Sequence, residues 1–76
     1  MDKDIVYFIN DGSPESQKVR MYLDIKNITY TEVDYDTMDD EAKGQLTNRP
    51  PVVIFEHRAI YGFDGDELNK MLGNLI

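Results

Sequence analysis

The chain has no cysteine in its 76 residues. That excludes disulfides, thiolate metal sites and dithiol redox chemistry by the sequence as it stands. Cations are scarce: 8 Lys and Arg face 15 Asp and Glu, a net charge of −7. Nucleic-acid binding, which needs basic side chains to displace phosphate counterions, does not fit that balance. Nor is there a basic amphipathic helix for anionic lipid. Long apolar runs are missing as well; the longest span about five residues, against the ~20 a helix needs to cross a bilayer. Met1-Asp2-Lys3-Asp4 carries no signal-peptide pattern, so the cytoplasm is the expected compartment.

What remains is enough for one fold. With 41% apolar and 30% charged residues and no low-complexity stretch, residues 1–76 are expected to form a single soluble domain, monomeric at this charge. Ile5-Val6-Tyr7-Phe8-Ile9 is a continuous apolar run, the mark of a strand covered on both faces, with Tyr7 in the core. Asn10-Asp11-Gly12 is turn chemistry. Ser13 can then cap a helix, with Pro14 at its first position and Glu15 favourable in its first turn. Val19, Tyr22 and Leu23 recur at helical spacing as far as a stop at Asn27.

The rest alternates in the same way. Ile28 to Asp34 reads as a half-exposed strand with Ile28, Tyr30 and Glu32 on one face. Two strands joined by such a helix form a βαβ unit with parallel strands. Thr37-Met38-Asp39-Asp40 looks like the capped start of a short helix ending near Gly44. Pro51 to Phe55 and Ala59 to Tyr61 are strands close enough to force a hairpin through Glu56-His57-Arg58. Asp64-Gly65-Asp66-Glu67 caps a last helix carrying Leu68, Met71, Leu72 and Leu75. The order β-α-β-α-β-β-α predicts a four-stranded mixed sheet flanked by helices, an α/β thioredoxin-like topology.

Three landmarks sharpen that reading. Ser13-Pro14-Glu15-Ser16 follows the first strand, Asn48-Arg49-Pro50-Pro51 precedes the third, and Gly62-Phe63-Asp64-Gly65-Asp66-Glu67-Leu68 leads into the last helix. Together they resemble the C-P-x-C motif, the cis-proline and the Gly-rich turn of the glutaredoxin family. Asn27 to Asp34 is similar to that family's second strand, and Gly62-Phe63 leans towards the hydrogen donors of ribonucleotide reductase. The resemblance spans nearly the whole chain, with serine at both cysteine positions.

The resemblance implies a thiol-disulfide oxidoreductase parent that passes electrons to a protein or glutathione disulfide. Ser13 would stand for the nucleophile and Ser16 for the resolving cysteine. Pro51 would be the cis-proline that aligns a substrate. Glutathione as co-substrate, or the cysteine-bearing tail of a protein such as ribonucleotide reductase, would lie between the Ser13 loop, Arg49-Pro50-Pro51 and Phe63-Asp64. No bound cofactor is implied. A serine hydroxyl cannot replace a helix-stabilised thiolate in disulfide exchange, so this chain is expected to be redox-inactive. Two histories lead there: both cysteines exchanged for serine by design, or a natural redox-dead binding module using the same groove. Serine at both positions, the closest mimic, favours the first. Glu15, where the family commonly has Tyr, would oppose ionisation of a neighbouring thiolate.

Other chemistries fit less well. A serine nucleophile needs a base in reach. The one histidine, His57, falls in the hairpin turn, roughly 20 Å of strand from Pro51 at ~3.3 Å per residue. Asp34-Tyr35-Asp36-Thr37-Met38-Asp39 begins like a calcium loop but lacks its glycine and its terminal Glu, so no metal site is expected. Lys18 reads as a solvated residue, and Arg49 either as a surface ion-pair member or as the partner of a ligand carboxylate.

Overall fold

A computed structural model describes residues 5–75. Met1-Asp2-Lys3-Asp4, on which the compartment expectation rests, lies outside them. The elements run β1 (Val6–Asn10), α1 (Pro14–Ile25), β2 (Tyr30–Asp34), α2 (Asp40–Gly44), β3 (Val52–Phe55), β4 (Arg58–Tyr61) and α3 (Gly65–Leu72), with short 3-10 turns at Tyr35–Thr37 and Gly73–Leu75. The predicted order is the observed one.

The strands form one sheet in the order β2-β1-β3-β4. β1 runs parallel to β2 (Phe8 opposite Glu32) and antiparallel to β3 (Phe8 opposite Val53). β3 and β4 form the hairpin, Val53 opposite Ile60. Its turn residues Glu56 and His57 both have positive φ, 51° and 66°. That is the backbone a tight two-residue hairpin demands.

The core explains why the run Val6 to Ile9 is apolar throughout and yet not uniformly buried. Val6 and Phe8 share one cluster with Val53 and Phe55 of β3, Val19 and Leu23 of α1, and Leu68, Met71 and Leu72 of α3. Phe8, Leu23, Leu68 and Leu72 are fully buried, each contributing roughly 1.5–3 kcal/mol. Tyr7 points the other way by the period-2 rule. It is half-buried there, so it is not the core residue the apolar run predicted. Ile9, on the same face as Tyr7, is buried, so that face is covered too and Tyr7 is its partly exposed member.

Other details differ from expectation locally. Ile28 is buried in the core but precedes β2. Glu32 is exposed and pairs with Arg20 at 2.5 Å rather than sharing a buried face. The cap of α2 is Asp39, whose Oδ1 accepts the Ala42 N–H at 2.7 Å, while Thr37 closes the preceding 3-10 turn. An Asp side chain two residues closer to the helix outcompetes the Thr hydroxyl for the same amides.

Candidate functional site

The carboxyl end of β1 delivers residues 10–13 to the start of α1, and the backbone N–H groups of Asp11, Gly12 and Ser13 each meet a nearby side chain. Asn10 Oδ1 accepts the Gly12 N–H at 2.7 Å, bending the chain at a residue with φ +79°. Asp11 Oδ1 accepts the Ser13 N–H at 3.0 Å. Ser13 has the extended backbone of a helix cap, and its Oγ accepts the Ser16 N–H at 3.2 Å. These are local side-chain-to-backbone bonds of the kind that Asn, Asp and Ser form in turns.

A second set links the side chains themselves. The Ser13 hydroxyl donates to Ser16 Oγ at 3.2 Å, and the Ser16 hydroxyl donates to Asp11 Oδ1 at 2.6 Å. The Asp11 N–H also points to Ser16 Oγ, at 3.4 Å. Ser16 is the one buried polar residue among the described residues, and the network leaves no buried side-chain nitrogen or oxygen among them without a partner. Burial pushes the Asp11 carboxyl up, but the two serine hydroxyls and the backbone N–H groups together outweigh it and hold it below the usual carboxylate range.

That electrostatics decides what the serines can do. Asp11 is an anion at neutral pH with its Oδ1 already saturated, which makes it a poor acceptor for a further proton. His57 sits exposed in the hairpin turn between β3 and β4. Neither residue activates Ser13 as a nucleophile. The pair instead presents two hydroxyls, one partly exposed and one buried, at the start of a 12-residue helix.

Facing them is the loop before β3. The Pro50-Pro51 peptide bond is cis, the form that the position of Pro51 implied. Pro51 is buried, and its carbonyl accepts the Gly62 N–H at 2.8 Å, fastening the end of β4 to this loop. The Tyr61 hydroxyl accepts the Thr47 N–H at 3.1 Å and ties down the loop's other end. Between loop and helix lies an open groove of about 580 Å³, lined by Asp11, Ser13, Pro14, Glu15, Lys18, Asn48, Arg49, Pro50, Tyr61 and Gly62. The volume falls in the range of small-ligand sites.

Ser13, Arg49 and Pro50, three residues predicted for the site, thus share one groove, with Ser16 and Pro51 buried just behind it. Phe63 and Asp64 follow Gly62 along the chain. Phe63 is 39% exposed and packs edge-on against Tyr22, ring centroids 6.3 Å apart. It lines a separate apolar depression with Lys18, Met21, Tyr22 and Ile25. Asp64 caps α3 by accepting the Glu67 N–H at 3.1 Å. Asp11, Lys18 and Tyr61 are the additions. Asp11 had a signal, an acid two residues before the capping serine; Lys18 and Tyr61 had none, since only the fold brings them to the groove.

Solved structures similar to the whole chain are found. A point variant of the thioredoxin-like protein BC3987 superposes with a TM-score of 0.79 at 23% identity, over 96% of this chain and 97% of that one. The fold is thioredoxin-like. The glutaredoxin from Archaeoglobus fulgidus matches with a TM-score of 0.75 at 13% identity, over 91% of this chain and 86% of its own. No family model and no curated protein matches the sequence. At these identities the likeness is one of fold, so the thioredoxin-like architecture stands and the chemistry has to come from the site.

Proposed function

We propose that the chain is a redox-inactive counterpart of a glutaredoxin-like thiol-disulfide oxidoreductase, and that its groove receives glutathione or a cysteine-bearing segment of a protein partner, ribonucleotide reductase being one candidate. One observation carries the reading. Two hydroxyls lie 3.2 Å apart at the start of α1, and the outer one, Ser13, lines a groove that is also lined by Pro50 of the cis Pro50-Pro51 bond. In the cysteine form, a thiolate at position 13 would be stabilised by the helix's free amides. It would attack a substrate disulfide, and the thiol at position 16 would then displace the mixed disulfide. Two electrons and two protons pass to the substrate, and a 13–16 disulfide remains. With hydroxyls the sequence stops at binding.

The test is the Ser13→Cys, Ser16→Cys double variant, assayed for reduction of a glutathione mixed disulfide with glutathione as reductant. Turnover in the variant and none in the parent is expected. A variant that folds, carries both thiols and reduces no disulfide refutes the oxidoreductase ancestry. A second reading, a natural binding module, is favoured by the Ser16–Asp11 bond. At 2.6 Å it has the length of a hydroxyl–carboxylate bond, shorter than a larger sulfur atom would make. On that reading the double variant is less stable than the parent chain when reduced.

A further inference from the structure

Glu15 lies between the two serines in sequence but takes no part in their network. Its Oε2 accepts the Phe63 N–H at 3.2 Å, from 48 positions away along the chain. The same carboxylate lies over Gly62, where an added Cβ would come within 3.2 Å of Oε2. Gly62 has φ +74°, a backbone that disfavours side chains, and its bareness lets the carboxylate approach. Lys18 and Arg49, the cations of the groove, make no ion pair among the described residues. Of the groove's two acids, Asp11 is therefore held by the serines and Glu15 is spent on a backbone donor at the rim, while its two cations are left open.

We propose that Glu15 is a specificity residue. By occupying the Phe63 amide with a carboxylate of the chain's own, it selects an internal, uncharged stretch of a cysteine-bearing polypeptide over a free thiol peptide that brings its own carboxylates. The inference rests on the groove reading above. One N–H cannot serve two carboxylates, and like charges brought to the same donor repel. A ligand carboxylate seeking that amide must displace Glu15 first. A peptide backbone lying between Ser13 and Arg49 leaves the contact intact.

Titrations with reduced glutathione and with a cysteine tripeptide blocked by N-acetyl and C-amide groups, followed by backbone amide shifts, separate the possibilities. In Glu15→Ala, glutathione should gain about tenfold in affinity relative to the blocked peptide, the size expected for removing a charged competitor for one hydrogen bond. The Phe63 amide should then move with glutathione and not with the blocked peptide. Glu15→Gln keeps the side chain's length without its charge and should shift the ratio in the same direction. If both ligands gain equally, or glutathione gains nothing while the Ser13 and Arg49 amides still respond, the role of Glu15 is refuted and the groove survives. If neither ligand moves any groove amide in any of the three proteins, the groove reading fails and the Glu15 role fails with it.

Discussion

α1 and α3 start alike. Each is preceded by an extended residue whose side-chain oxygen accepts an N–H from the first turn: Ser13 from Ser16 at 3.2 Å, Asp64 from Glu67 at 3.1 Å. Each has acid in that turn, Glu15 in one and Asp66 and Glu67 in the other. Beyond the cap they diverge. At α3 the bonding ends with the exposed Asp64, and Glu67 turns outward to Lys70 at 3.7 Å. At α1 the cap hydroxyl hands on to the fully buried Ser16, which hands on to Asp11 from the preceding loop. A capped helix is a folding device found in most proteins. What distinguishes α1 is a buried polar side chain behind the cap, tied to a residue outside the helix, with a groove in front.

The sharpest way to break that distinction is Ser16→Ala. It removes a buried donor to an ionised acceptor, and it should lower unfolding stability by about 2 kcal/mol in urea titrations, the scale of hydrogen bonds to charged groups. Asp64→Ala removes an ordinary exposed cap and should cost about 1 kcal/mol. If the Ser16 variant loses no more than the Asp64 variant, the network behind α1 is no more than a second cap. The contrast between the two helices would then be lost.

Much of this was legible beforehand because local rules and the fold agree. The caps at Ser13 and Asp64, the hairpin and the Leu68-Met71-Leu72 stripe depend on short-range chemistry and lie where their residues placed them, except that Arg58 already belongs to β4 and Leu75 falls beyond α3, exposed. Illegible were features set by which face of the sheet the helices cover. An unbroken apolar run cannot reveal that Tyr7 faces away from α1 and α3. Nor can helical spacing show that Lys18 borders the groove or that Tyr61 anchors the loop opposite. Glu15 was readable as a dipole partner of its own helix; its hold on the Phe63 amide is a contact across 48 positions that no window of sequence contains. The site was legible as a motif, then, and its wiring was not.

Acid pH separates the two helix starts by a smaller effect. The Asp11 carboxyl is raised by burial but lowered further by the hydroxyls and amides that point at it, so its folded-state pKa lies below the usual value. A group of that kind stabilises the fold fully above its unfolded pKa, about 3.9 for Asp. The contribution fades as pH falls through the lower folded-state value. In Asp11→Asn the acceptor oxygen remains and the titration is gone. Urea midpoints of parent and variant should differ by a constant amount from neutral pH down to about 4, with the parent the more stable, and should converge below that. Asp11 is partly exposed, so solvent screening keeps the difference smaller than the loss in Ser16→Ala. A gap that stays constant through the acid range would mean that Asp11 holds the serines by shape alone, and that the charge behind the first helix does nothing its neighbour's cap does not.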